Sequence, residues 1–427
     1  MSYVVYKLKE AINGTDRIGG KGSNLAKAKS YISYKIPAWR GITAQACYDA
    51  MTVSQWAEMK DRIMSYDLST IQGVHDAAVD AQYFFCTHAK VPTGLIEELE
   101  EMHNELSLFA EGITYAVRSS AIEEDGAVSS FAGQHDSLLG VSKDDIPSAL
   151  VSIWASLYNE RAMAYRIERG LSVITSQMGV VVQRMVKAAY AGVGFSIDPT
   201  GSFSSATIIE VVHGLGESLV GGKVNPTTYI VNREDNEVIH EEVKEQGTGV
   251  VVMADGSLGE KAFTLSPKLS QIALSSINKL VLALEGIMGC PVDVEWAIDE
   301  HGVVYLLQVR PLTGIMSGDG KMTNLSGNGA SPGIAVSVGT FIDSPHSIIK
   351  SGNPIMLTKQ TTPEFLPLIR KVAGIITATG GVTCHAAIIS RELGIPCIVG
   401  VGMPRIQGLI DKNIRMNGGE GTIEVLD

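Results

Sequence analysis

The sequence predicts a multidomain protein of α+β or α/β class, and three observations predict it. The chain has 427 residues, too many for one hydrophobic core and enough for two or three domains. Segments of helical period and of strand period alternate irregularly along it, as in sheets covered on one face by helices. A stretch without apolar period, GIMSGDGKMTNLSGNGA at 314–330, reads as a flexible linker. About one hundred residues follow it, enough for a small independent domain.

Taken in order, helical periodicity runs over Ser23–Tyr31, Ala44–Met64, Gly94–Ala110, Ser142–Arg169 and Ser266–Gly289. Strand-like runs fall at Tyr115–Arg118, Met178–Met185, Thr207–Val212, Tyr229–Asn232, Val292–Ala297 and Val303–Val309, where β-branched residues cluster between turn residues. Beyond the linker, Ile355–Leu357, Gly374–Thr377, Cys397–Val399 and Thr422–Val425 read as strands, with a helix opening at His385. There is no internal repeat.

Composition excludes several classes. Net charge is −12, whereas binding a phosphate backbone needs a basic surface, so no nucleic-acid partner is expected. No window approaches the ~18–20 uninterrupted apolar residues of a membrane span, and the start MSYVVYKLKEA lacks the pattern of a signal peptide. Five scattered cysteines without a CxxC pair argue against a disulfide framework or a zinc cluster. A soluble, cytoplasmic protein is the expectation.

Several segments carry chemistry. In IGGKGSNLAKA a glycine turn opens a helix, so backbone N–H groups and Lys21 can converge on an anion; a plain surface turn is the other reading. Arg118 ends a strand and is followed by small hydroxyls, acidic residues and the loop around Gly133. That suits contact with phosphate oxygens or, equally, a salt bridge to Glu124 or Asp125. Gln183 interrupts an apolar strand, as either a base-binding amide or a hydrogen-bonded core residue. Glu210 ends another strand before the glycine-rich stretch 214–222. Asp293 and Glu295 alternate along one strand, and Gln308 and Arg310 along the next, so each pair shares a face. Hard oxygen ligands beside a cation are what Mg²⁺ on a polyphosphate needs.

Together, GGKGSNLAKA, AVRSSAIEED…SFAGQH, VVVQRMV, GLGESLVGGKVNP and VDVEWAID…LLQVRP resemble the ATP-grasp nucleotide-binding domain of the phosphoenolpyruvate synthase and pyruvate phosphate dikinase family. The resemblance covers residues 17–313 almost without a break. It implies an ATP-grasp domain over 1–313, with two subdomains breaking near 110–200. It also implies that Lys21 and Arg118 contact phosphates, with the Gly133 loop over them. Gln183 then lies near adenine, Glu210 and Asp293 join the ATP site, Glu295 and Gln308 hold Mg²⁺, and Arg310 reaches the phosphoryl group in flight.

In GGVTCHAAIISRELGIP, His385 stands at the first turn of a helix, where free N–H groups and the dipole favour negative charge. Imidazole is a competent nucleophile near neutral pH, since its pKa is about 6.5. Gly380-Gly381-Val382-Thr383-Cys384-His385-Ala386 also resembles the signature G-G-x-T-[SC]-H-A of the same family's swivelling phosphohistidine domain. SPGIAVSVG and NGGEGTIEVL resemble that domain too, which then spans 331–427.

The resemblance implies an AMP-forming phosphotransferase: ATP pyrophosphorylates His385, phosphate is lost, and phospho-His385, with Thr383 donating a hydrogen bond, serves an acceptor. The family's pyruvate-binding barrel is not recognised in this sequence. Relatives that phosphorylate rifamycin antibiotics carry an acceptor domain between the other two, where this chain has only the linker. The acceptor is therefore expected to be a small or pyruvate-like metabolite, or to be bound by a separate subunit. A ligase that activates its substrate through the phosphohistidine is the alternative.

Overall fold

A computed structural model describes all residues except 1, 108–111, 123–136, 169–170, 175–176, 200–204, 313–326, 346, 350–351, 383 and 427. Of the sequence-selected positions, Gly133, Thr383, Glu124 and Asp125 lie outside the described residues, as does most of the expected linker. The chain divides into two units: the first comprises 1–186, 252–259 and 308–310, and the second 187–251, 260–307 and 311–427.

The first unit holds strands β1 (Val4–Val5), β2 (Trp39–Ile42), β3 (Tyr115–Ala121), β4 (Ser137–Val141) and β5 (Met178–Arg184), in the sheet order β1-β2-β5-β3-β4. Its helices are α1 (Leu8–Ile12), α2 (Thr15–Tyr31), α3 (Ala44–Tyr48), α4 (Val53–Met64), α5 (Ile71–His88), α6 (Thr93–Leu106), α7 (Ile146–Ala155) and α8 (Glu160–Glu168). Central β5 is buried from Met178 to Gln183, which explains its continuous apolar run. Helix α2 presses hard onto the sheet. A Cβ on Gly22, Gly41 or Gly179 would approach Ile18 to 2.8, 3.0 or 2.7 Å, so three glycines cradle one isoleucine.

The second unit carries β6 (Ala188–Phe195), β7 (Ala206–His213), β8 (Thr227–Asn232), β9 (Val238–Glu242), β12 (Val292–Asp299) and most of β10 (Thr248–Val252), β11 (Leu258–Ala262) and β13 (Val304–Pro311), of which 252, 258–259 and 308–310 count with the first unit. The order β13-β12-β6-β7-β8-β9 makes a six-stranded sheet, and β10-β11 is a separate hairpin. Helices α9 (Glu217–Val220) and α10 (Gln271–Met288) belong here. By length and composition alone α10 could cross a membrane, yet it packs on β6, β7 and β12 through Leu274, Ile277, Val281 and Leu284, the place of a core helix. Ser270 caps its start and left-handed Gly289 its end.

The same unit continues with β14 (Asn328–Ser331), β15 (Ile334–Phe341), β16 (Ile355–Thr358), β17 (Gly374–Thr377), β18 (Cys397–Val399), β19 (Asn413–Asn417) and β20 (Thr422–Leu426). Their order is β14-β18-β17-β16-β15-β19-β20, accompanied by α11 (Leu366–Ile369), α12 (His385–Leu393) and α13 (Met403–Leu409). Strands β15, β16, β17 and β18 pair in parallel, as expected when helices cross between them.

Several expectations need correction. Arg118 and Glu210, expected at strand ends, lie within β3 and β7, which each run three residues further. The expected linker ends early, because Asn328 to Ser331 pair with β18 and belong to the C-terminal sheet. The helix expected over Ala44–Met64 is two helices, since Thr52 starts α4 with a capping box to Gln55. The helix expected over Ser142–Arg169 breaks after α7, where Asn159 Oδ1 takes the N–H of Ala162 and starts α8. The glycine turn near Lys21 lies inside one element, Thr15–Tyr31, kinked at Gly19 with φ 72° and ψ 175°.

Candidate functional site

In the first unit, α2 and β3 bring cations beside hydroxyls. A Cβ on Gly19 would lie 2.1 Å from Ser120 O, so only glycine lets the helix start this close to the strand. Gly22 N donates to Ser120 Oγ at 3.3 Å, and Lys21 Nζ donates to Ser119 O at 2.9 Å. The glycines around Lys21 thus serve close helix–strand packing, and the Gly22 N–H is taken by a serine. Arg118 Nη1 donates to Gln308 Oε1 at 3.4 Å. Gln183, almost fully buried, lies opposite Ala116 of β3 and Trp39 of β2. Lys21, Arg118, Gln183 and Gln308 are therefore all carried by this unit, as is Arg310, which is partly exposed.

In the second unit, Asp293 and Glu295 alternate along β12, opposite Phe195 and Val193 of β6. Between and beyond them, Val294 and Trp296 are fully buried, so the two carboxylates share the other face. The start of β12 is pinned: Val292 N donates to Ser196 Oγ, which donates to Glu285 Oε1 at 3.1 Å, and Arg233 Nη2 donates to Glu285 Oε2. Strands β12 and β13 are neighbours in the sheet order. The two carboxylates of β12 by themselves suit Mg²⁺, which takes one or two carboxylates and fills its other positions from phosphates and water. Among the described residues no group of three His, Cys, Asp or Glu side chains forms an all-protein metal cage.

The histidine loop is the most tightly organised part. His385 opens α12, with Cys384 as N-cap and left-handed Gly394 as C-cap. Its Nδ1 lies 3.0 Å from Thr361 Oγ1. Cys384 is buried, and burial pushes its thiol up to about 11, so it stays neutral and is no rival nucleophile at pH 7.

Strand β7 and the segment after it embrace this loop. Glu210 Oε1 accepts from Val382 N at 2.9 Å, and Asn225 Oδ1 accepts from Gly380 N at 2.8 Å. Thr379 Oγ1 donates to Gly222 O at 2.9 Å. Gly380 has φ 113°, and a Cβ on Gly381 would fall 2.5 Å from Glu210 Oε1. Glu210, expected among the ATP contacts, thus turns one oxygen to the histidine loop. From inside the small domain, Arg391 Nη1 donates to Val382 O at 2.9 Å and Ala330 O at 2.8 Å.

Sequence reasoning missed Thr361, Asn225 and Arg391. Asn225 lies within GLGESLVGGKVNP and Arg391 within GGVTCHAAIISRELGIP, while Thr361 stands two residues before Pro363 in a segment without a motif. Only their fold-dependent approach to residues 380–385 reveals them.

Residues 15–325 match the family described as pyruvate phosphate dikinase, AMP/ATP-binding domain. Residues 351–421 match the mobile domain of PEP-utilising enzymes. A probable phosphoenolpyruvate synthase of Methanothermobacter thermautotrophicus is 34% identical over 90% of this chain and 58% of its own length. One from Staphylothermus marinus is 31% identical over 90% and 53%. The phosphoenolpyruvate synthase of Pyrococcus furiosus is 34% identical over 73% and 41%. The chain spans about half the length of these curated relatives. With an AMP/ATP-binding domain followed by the mobile domain of PEP-utilising enzymes, the chain belongs to the pyruvate phosphate dikinase and phosphoenolpyruvate synthase family.

Proposed function

We propose that this chain is an AMP-forming, ATP-dependent phosphotransferase with His385 as its covalent carrier. The observation that carries the reading is the histidine loop itself. His385 stands at a helix N-terminus with Nδ1 engaged by Thr361, while Glu210 of the nucleotide-binding domain grips the loop's backbone. When Nδ1–H donates to Thr361 Oγ1, the tautomer leaves a lone pair on Nε2. Nε2 is then the nucleophile.

Nε2 attacks the β-phosphorus of ATP, the bond to the α-phosphate oxygen breaks, and AMP leaves with those electrons. Water then releases the terminal phosphate as Pi, leaving phospho-His385. Splitting one difficult transfer into two is the gain from a covalent carrier. Lys21, Arg118 and Arg310 neutralise the phosphate chain, the loop around Gly133 covers it, and Gln183 with Asp293 completes the ATP site. Glu295 and Gln308 would hold Mg²⁺, which supplies charge neutralisation on the phosphates. Thr383 donates to the phosphate on His385.

Phospho-His385 then serves an acceptor, a small or pyruvate-like metabolite, held by this polypeptide or by a partner subunit.

The test is incubation with ATP labelled at the β position, then intact mass and peptide mapping. Label on His385 with AMP and Pi as products is expected. ADP formation, or no label on His385, sinks the reading. Once acceptors are screened, a phosphorylated product supports transfer, and a condensed product assigns the chain to the ligases instead.

A further inference from the structure

We propose that Arg391 is the positioning residue that holds the His385 loop in its reactive shape. The proposal rests on the phosphohistidine reading above and extends it to a residue six positions beyond the histidine, at the far end of α12.

Val382 is gripped at both of its backbone groups by buried side chains of opposite charge. Its N–H donates to Glu210 Oε1, and its C=O accepts from Arg391 Nη1. The same Nη1 donates to Ala330 O, in the strand that follows the linker region. One buried guanidinium nitrogen therefore ties together three pieces of the small domain: α12, β14 and the loop that delivers His385.

The two grips differ in kind. Glu210 belongs to the nucleotide-binding sheet, so its contact is lost whenever the loop leaves that sheet. Arg391, Ala330 and Val382 all belong to the small domain, and their contact travels with the loop. Arg391 thus keeps the loop's geometry whether or not it is docked. A charged donor suits this task because its hydrogen bonds are about twice as strong as neutral ones. Its planar fork also fixes direction, which a lysine does not. Arg391 touches neither nucleotide nor reacting atom in this scheme, and acts on the loop through Val382.

The experiment compares wild type with Arg391→Ala and Arg391→Gln in three readouts: β-label uptake by His385 at saturating ATP, KM for ATP, and amide hydrogen exchange of the peptide spanning 378–390. In Arg391→Ala, labelling should fall on the order of 100-fold, the scale of an ~1 Å misplacement. KM should stay within about twofold of wild type, because a positioning defect leaves ATP binding alone. Exchange in 378–390 should quicken, and added guanidinium should restore part of the labelling.

Arg391→Gln keeps an N–H donor without the charge and covers the case in which the alanine variant fails to fold; an intermediate loss is expected. Wild-type labelling and exchange in a folded variant overturn the proposal. So does a loss that only follows a lowered melting temperature, with faster exchange throughout the chain and no guanidinium rescue. If wild type itself takes no label, the phosphotransfer reading fails. Exchange at 378–390 still decides Arg391, and unchanged exchange there overturns the proposal.

Discussion

Replacing Gly381 by alanine tests whether the histidine loop is held where it is because two elements meet without side chains between them. The new Cβ would sit 2.5 Å from Glu210 Oε1, 3.0 Å from Glu210 Cδ and 2.8 Å from Pro226 Cγ. Ordinary carbon contacts begin near 3.4 Å, so the loop must retreat by about 0.9 Å to relieve the worst clash. Glu210 has no exposed surface and cannot swing into solvent. The 2.9 Å bond from Val382 N to Glu210 must therefore lengthen or break. A lost hydrogen bond to a charged group costs about 1.5–3 kcal/mol, which lowers the docked population about 10- to 150-fold. The assay is single-turnover labelling of His385 at saturating ATP beside calorimetric ATP binding. Labelling should fall by that factor while ATP affinity holds. Wild-type labelling by a Gly381→Ala protein with unchanged melting would refute the reasoning, because the Glu210 grip would then be incidental.

Three further outcomes follow from the same geometry. His385→Ala should keep ATP binding, measured by calorimetry, and lose AMP formation entirely; persisting turnover would make the histidine structural. Cys384, with its thiol pushed up to about 11 by burial, should resist iodoacetamide below about pH 10, where little thiolate forms. Peptide mapping across a pH series reads this, and Cys384→Ser should still take label. Gly19→Ala places a Cβ 2.1 Å from Ser120 O at φ 72° and should destabilise by more than about 2 kcal/mol in denaturant unfolding, combining backbone strain with overpacking.

What the sequence made legible is what local pattern controls. Helix α12 was readable because its apolar period runs from the histidine to Gly394, which caps it in the left-handed conformation. Strand β5 was readable because burial on both faces leaves an unbroken apolar run. Helix α5 escaped notice although its buried Val74, Ala77, Ala78, Ala81, Phe84 and Phe85 recur at helical spacing, because Gly73 in the first turn and the exposed apolar Val79 and Tyr83 blur that pattern. Strands β15 and β19 are short or interrupted: four of eight residues in β15 and two of five in β19 are exposed, and the polar Ser337, Thr340 and Arg415 leave few apolar positions to mark them. The candidate cations and carboxylates were picked out by residue type, while their placement was not: Lys21 lies inside α2, Arg118 in the middle of β3 and Glu210 in the middle of β7. The supports of the site were not legible. Thr361, Asn225 and Arg391 join residues 380–385 through contacts spanning 24, 155 and 9 positions. The two longer ones leave no periodic signal, and the shorter one looks from sequence like an ordinary basic residue in a last turn.

The two glycine pairs show how these levels connect. Gly19-Gly20 and Gly380-Gly381 both look, in sequence, like loops whose bare backbone could wrap a phosphate. In each, the first glycine has positive φ, 72° and 113°, and a Cβ within the pair would strike a partner element at 2.1 or 2.5 Å. At the first pair the partner is β3, and the effect is to bring Lys21 onto the strand that carries Arg118. At the second it is Glu210, and the effect is to hold the loop leading into His385. The glycines therefore serve as contact faces between elements, and the charged or nucleophilic side chains that follow them are aimed by that contact. A substitution at either pair should damage the site through displacement of its neighbours, before any lost contact to a nucleotide is felt.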